Sequence, residues 1–139
     1  MRIVIDTNIW VSGLLWKGKP WQLLKLAESG DVQLCIAHSM LLELEEVLAY
    51  DKFQSRLQIL HQTPAQLATY VLSLSTAFDV SRKGISVIKD DPDDDIFVWC
   101  ALSAGAKYLV TGDRHLLNFG YYQTVKMITV AEFLDLMYK

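Results

Sequence analysis

Cysteine is scarce in this 139-residue chain: there are two, Cys35 and Cys100, each inside an apolar stretch. They read as buried free thiols in a reducing compartment in preference to a disulfide or a metal-binding pair. No Gly/Ser/Pro-rich linker, low-complexity tract or internal repeat interrupts the chain, so residues 1–139 are expected to form a single domain. No apolar run approaches the roughly 20 residues of a membrane span. The first apolar run stops at Asp6, too early for the core of a signal peptide. A membrane partner is therefore not expected, and the expected location is cytoplasmic. Positive charge is not in excess either: 13 Lys and Arg face 16 Asp and Glu, a net charge of -3. That argues against holding nucleic acid through the overall field but leaves room for local basic patches. What is abundant is apolar side chain, 52% of the residues, enough for one real core and too little chain for two.

The stretch Arg2-Ile3-Val4-Ile5-Asp6-Thr7-Asn8 organises the chain. Three consecutive β-branched residues without polar alternation predict a short strand buried on both faces, as in a parallel sheet. Asp6 follows at its carboxyl end, the edge where open α/β sheets bind ligands. It reads equally well as the cap of a helix over Asn8–Leu15. Trp16 to Pro20 is a basic turn, followed by a helix from Trp21 to Glu28 that Gly30 ends. A strand over Asp31–Ala37 leads to a helix from Met40 to about Tyr50 capped by Ser39, with Leu41, Leu44, Val47 and Leu48 on one face. An amphipathic helix is expected over Asp51–Leu60, and a capping box, Thr63-Pro64-Ala65-Gln66, opens another to about Ser75. Residues Ala77–Val80 read as an edge strand. Asp91-Pro92-Asp93-Asp94 opens an apolar, deeply packed helix over Ile96–Ala104, ended by Gly105. Strands at Lys107–Thr111 and Thr124–Ile128 come next, then a second capping box, Thr129 to Glu132, and a terminal helix through Met137. Strands separated by helices imply parallel pairing and a three-layer α/β fold.

The acids stand out against this pattern of elements. Asp6 and Asp113 each directly follow an apolar strand, so parallel pairing brings both to one sheet edge. Glu43 lies one turn into the helix after the second strand, and Asp94 lies in the first turn of the helix before Asp113's strand. Four carboxylates that converge without compensation cost several kcal/mol each, roughly, so a cation is expected among them. An all-oxygen donor set suits Mg²⁺ or Mn²⁺. Five of the sixteen acids fall in Asp90–Asp95. Of these, Asp91 reads as a cap, Asp93 as solvated, and Asp95 as a supporting neighbour. Glu45 and Glu46 read as a solvated face. The lone histidines His38, His61 and His115 are not expected to be ligands. Trp10 and Trp99 read as core, and Trp16 and Trp21 as a partly exposed patch for dimer or partner contact.

The ordered set Val4-Ile5-Asp6-Thr7-Asn8, Ser39 with Glu43 and Val47-Leu48, Asp91-Pro92-Asp93-Asp94 with Ala101 and Gly105-Ala106, and Leu109-Val110-Thr111-Gly112-Asp113 with Leu116-Leu117 resembles the PIN-domain nuclease family. It is closest to the VapC-like bacterial and archaeal members classed as toxins of toxin-antitoxin pairs. The resemblance runs over nearly the whole chain. It implies a Rossmann-like α/β/α domain with a central parallel sheet, a Mg²⁺- or Mn²⁺-dependent ribonuclease, frequent homodimers and a cognate antitoxin partner. The family's acidic quartet falls on Asp6, Glu43, Asp94 and Asp113, with Glu46 the competitor of Glu43. Asn8 completes the family's first motif, and Thr111 matches the polar residue before its last acid; either could hold a phosphate or orient a ligand carboxylate.

Such a site would hydrolyse RNA by metal-activated water, with no side-chain nucleophile. Single-stranded or looped RNA is the expected substrate, because a recessed phosphate is reached only where bases can splay. Arg114, Lys17 and Lys19 are the candidate RNA contacts. Two rivals are a non-catalytic metal- or RNA-binding module and a phospho-aspartate phosphatase. The latter needs a second Asp two residues after the first, where this chain has Asn8.

Overall fold

The computed structural model describes residues 1–79 and 95–139. In chain order these form β1 (Arg2–Ile5), α1 (Thr7–Leu15), α2 (Lys19–Glu28), β2 (Gln33–Ala37), α3 (His38–Leu48), a 3₁₀ turn (Asp51–Phe53), α4 (Gln54–Leu60), α5 (Pro64–Leu74) and β3 (Ser75–Phe78). After the undescribed stretch come α6 (Asp95–Ala104), β4 (Tyr108–Val110), α7 (Arg114–Phe119), β5 (Tyr121–Tyr122), β6 (Val125–Ile128) and α8 (Val130–Met137). The strands make one six-stranded sheet in the order β3-β2-β1-β4-β6-β5, parallel except for the β5–β6 pair. This is the expected Rossmann-like α/β/α architecture.

The sheet is central because its middle strand cannot face water. Ile3, Val4 and Ile5 are each 0% exposed, as an unalternating β-branched run requires when both faces are covered. Helix α6 lies across β2, β1 and β4, while α1, α2, α3, α5 and α8 pack against one another. The inward face of α6 (Phe97, Val98, Cys100, Ala101) is buried. Cys35 and Cys100 are free and buried, and burial pushes the Cys100 thiol up to about 12 and that of Cys35 upward. Such thiols stay protonated and inert.

The winding of the chain sets the position of the strand ends. From β1 the chain passes through α1 and α2 to β2 on one side, whereas β4 joins β1 on the other. The carboxyl ends of β1 and β4 therefore flank the point where strand order reverses, which is where open α/β sheets leave a crevice.

Both predicted capping boxes form. Thr63 Oγ1 accepts from Gln66 N at 3.1 Å and Thr129 Oγ1 from Glu132 N at 3.1 Å, each with the reciprocal bond back. Other expectations change. Ser39 does not cap α3: β2 runs straight into the helix, Ala37 is its N-cap, and Ser39 lies inside the first turn. The helix expected over Asp51–Leu60 begins as a 3₁₀ turn. Between Asp113 and β6 the chain forms α7 and the two-residue β5, neither foreseen. Six residues carry too little periodicity to announce a helix, and the β5–β6 turn uses Gln123 at φ 53, a position without a glycine signal. The edge strand expected over Ala77–Val80 does form, beginning earlier at Ser75 and running to Phe78, with Val80 outside the described residues.

Candidate metal centre

Outside the aromatic and sulfur residues, three polar side chains are buried among the described residues: Asp6, Thr7 and Thr111. All three lie at the winding switch. Asp6 follows β1, its backbone N–H donating to Val110 O at 3.2 Å, so β4 fixes its position directly. Its carboxylate caps α1, Oδ1 accepting from Ile9 N at 2.9 Å. Thr111, wholly buried just after β4, donates its hydroxyl to Asp6 Oδ2, and its Oγ1 accepts from Asp113 N at 3.0 Å. One hydroxyl thus ties the first acid to the backbone of the last. Asp113 is half-buried and caps α7, its Oδ1 accepting from His115 N at 2.7 Å.

The Asp6 carboxyl is raised above its ordinary value, chiefly because burial penalises its charge. The Thr111 hydroxyl and the N–H groups of Ile9 and Gly112 pull it back down, and the charge of Asp113 adds to the rise. Among the described residues no cation acts on it. A buried anion opposed by a second anion is a group that a bound cation would relieve.

Glu43 approaches from α3. It is half-buried, and Thr7 donates its hydroxyl to Glu43 Oε2 at 3.3 Å. Because Thr7 immediately follows Asp6, this bond brings α3 to the same edge. Glu46, the competing acid, is exposed. Thr7 was not singled out from sequence; its signal was a hydroxyl between Asp6 and Asn8 in the first motif. Asn8 and Arg114 are exposed beside Asp6 and Asp113 respectively. Lys17 and Lys19 are exposed beyond the far end of α1. Asp91 and Asp94 fall outside the described residues, and Asp95 opens α6.

The described residues bring together Asp6, Asp113 and, through Thr7, Glu43. Among them no group of three or more His, Cys, Asp or Glu side chains is close enough to hold a metal ion by itself. The donor chemistry nonetheless fits a hard cation: all oxygen, with one carboxylate buried, raised and opposed by a second acid.

A parallel α/β sheet with acids gathered at its winding switch defines a class of proteins that bind ligands at the strand ends. Within that class, residues 2–115 match the PIN domain family model, and the chain belongs to that family, whose members are generally nucleases. No curated protein matches significantly. Among solved structures the chain is similar to VapBC2 from Rickettsia felis, crystallised bound to a DNA fragment from their promoter, with a TM-score of 0.58 at 17% identity over 91% of this chain and 97% of that one. It is also similar to PAE2754 from Pyrobaculum aerophilum, with a TM-score of 0.53 at 16% identity over 97% of this chain and 96% of that one. At such identities the likeness is one of fold.

Proposed function

We propose that this chain is a metal-dependent endoribonuclease, the toxin of a toxin-antitoxin pair, with residues 1–139 acting as one PIN domain. The observation that carries the reading is the gathering of buried polarity at the switch, where the Asp6 carboxylate is raised by burial and faces Asp113 with no cation among the described residues acting on it. Asp6 and Asp113, with Glu43 and Asp94, would hold Mg²⁺ or Mn²⁺, which when bound supplies Lewis-acid stabilisation and a water of lowered pKa.

The chain's own residues do the positioning. Thr111 aims Asp6, and Thr7 aims Glu43. Asn8, exposed after Asp6, would hold a phosphate oxygen, and Arg114, exposed after Asp113, would contact the strand. Asp91 and Asp95, next to Asp94 in sequence, would be its supporting acids. The partner reading, a cognate antitoxin, draws on the fold likeness to VapBC2. A homodimer working in the cytoplasm completes it.

The test compares wild type with Asp6→Asn, Asp113→Asn and Glu46→Gln on a long unstructured RNA with Mn²⁺. Cleavage should disappear in the first two variants and persist in the third, with circular dichroism unchanged. Undiminished cleavage in Asp6→Asn would assign the activity to a contaminant or another site, and the non-catalytic binding module would then be the better reading.

A further inference from the structure

Beyond the far end of α1 from Asp6 lies a second organised surface. Trp16, the residue after α1, is 46% exposed. Its ring system and that of Phe53 pack edge-to-face, at a centroid distance of 6.2 Å and an interplanar angle of 64°. The Arg56 guanidinium stands 5.8 Å from the Trp16 ring centre, and its Nε donates to Leu15 O at 2.6 Å, so the cation is anchored rather than free to swing. Lys52 stands 5.1 Å from the Phe53 ring. In the next turn, Lys17 and Lys25 stand 5.9 Å and 5.0 Å from Trp21.

The charge is concentrated. Lys17, Lys19, Lys25, Lys52 and Arg56 are five of the chain's 13 Lys and Arg. The acids close to them in sequence are Asp51 and Glu28, the latter held by Lys25 at 3.1 Å and by the Tyr70 hydroxyl. Five cations are thus drawn together around two tryptophans within a chain of net charge -3. Cations alone would be an ordinary solvated surface. Cations set against a half-open indole are the combination that holds a single strand, phosphates on the charges and a base on the ring. The Arg56 anchor uses one of the five guanidinium donors, leaving the others for phosphate.

We propose that this patch is a docking platform for single-stranded RNA, separate from the acids, in which Trp16 stacks a base and Lys17, Lys52 and Arg56 hold neighbouring phosphates. The identity of the strand rests on the ribonuclease reading above. A nine-residue α1 spans about 13 Å, so the platform grips a part of the strand that is not at the acids. It governs capture of long RNA and leaves the chemistry on a minimal substrate alone.

The experiment measures anisotropy of a fluorescein-labelled oligouridine with chelator present, so that binding is read without cleavage, across a salt series. Trp16→Ala should weaken binding at least about five-fold, and Trp16→Phe, which keeps a stacking ring, should retain most of it. The Lys17→Ala, Lys52→Ala double variant should flatten the slope of log affinity against log salt by about 1.4. With Mn²⁺, cleavage of a dinucleotide should be unchanged in Trp16→Ala and Trp16→Phe. Wild-type binding and cleavage with unaltered affinity in both the Trp16→Ala and the lysine variants would overturn the platform and leave the ribonuclease standing. Absence of both binding and cleavage in wild type would overturn the ribonuclease reading itself. Unchanged RNA affinity with lost binding of a protein partner would reassign the surface to that partner and overturn the proposal.

Discussion

Replacing Thr111 by valine keeps the shape of the side chain and removes one hydroxyl, and that hydroxyl makes two bonds in a buried place: it donates to the Asp6 carboxylate and accepts from Asp113 N. A hydrogen bond to a charged group contributes about 1.5–3 kcal/mol and one between neutral groups about 0.5–1.5 kcal/mol. The methyl that replaces the hydroxyl returns about 0.8 kcal/mol of apolar burial. The expected net loss without metal at neutral pH is about 2.5 kcal/mol. An unfolding entropy near 0.3 kcal/mol per kelvin, about that of a chain this long, converts the loss to a fall in Tm of about 9 °C.

The pH dependence isolates the charged part. The Asp6 carboxyl is raised in the folded protein, so the native state binds its proton more tightly than the unfolded chain does. The penalty of the buried charge is fully present above the folded value and is relieved as pH falls through it towards the ordinary carboxylate range. Thr111 is one of the groups that lower Asp6, so its removal raises the carboxyl further and enlarges that penalty. Melts in chelator from acid to neutral pH should therefore show the Thr111→Val deficit growing with pH. In an Asp6→Asn background, where both bonds are neutral, the same substitution should cost only about 1.2 kcal/mol after the same allowance for the methyl. A deficit independent of pH and equally large in both backgrounds would refute the charged bond between Thr111 and Asp6 as its source.

Asp6→Asn alone should raise the chelator-form Tm at neutral pH, because it removes a buried charge opposed by Asp113, while losing RNA cleavage; a lowered Tm would contradict the repulsion. Mg²⁺ or Mn²⁺ at about 100 times its dissociation constant should stabilise wild type by about 2.7 kcal/mol, and titration calorimetry should find that response lost in Asp113→Asn. A β-carbon at Gly13 would sit 2.9 Å from Leu24 Cδ1 and 3.1 Å from the Pro20 carbonyl oxygen, inside the α1–α2 contact. Gly13→Val should therefore cost about 1–3 kcal/mol in denaturant unfolding, and a neutral result would mean that the two helices move apart freely.

The fold was legible where one local signal had one physical meaning. The Ile-Val-Ile run could be buried on both faces in a central parallel strand, and the two capping boxes specify helix starts through bonds that Thr63 and Thr129 do make. It was illegible where geometry replaced chemistry. Nothing in His38 or Ser39 reveals that β2 enters α3 without a loop, and no periodicity in six residues marks α7. Spacing placed Asp6 and Asp113 at one edge, because strand ends in a parallel sheet are fixed by topology. It was silent on Thr7, whose reach to Glu43 depends on how α3 leans against α1. The cations around Trp16 were half seen: Lys17 and Lys19 are adjacent to it in sequence, whereas Lys52 and Arg56 arrive from a segment some forty residues later.

Whether Asp6 caps a helix or serves a site is a question the geometry dissolves. A carboxylate has two oxygens, and Asp6 gives one to Ile9 N as a cap and the other to the Thr111 hydroxyl. Asp113 repeats the device with its cap on His115 N. Each cap uses only part of the lone-pair capacity of one oxygen, so the carboxylate keeps acceptor positions for a cation while its rotamer is already fixed. An acid on a free surface loop would lose that rotational freedom on binding; one whose orientation is set by a helix N-terminus has lost it on folding. The helix ends contribute a second effect, since the partial positive charge of an N-terminus favours the ionised form that a cation needs. Burial works against that form at Asp6, and the balance among burial, caps and the neighbouring Asp113 leaves a carboxylate that is oriented, raised and relieved by a positive charge.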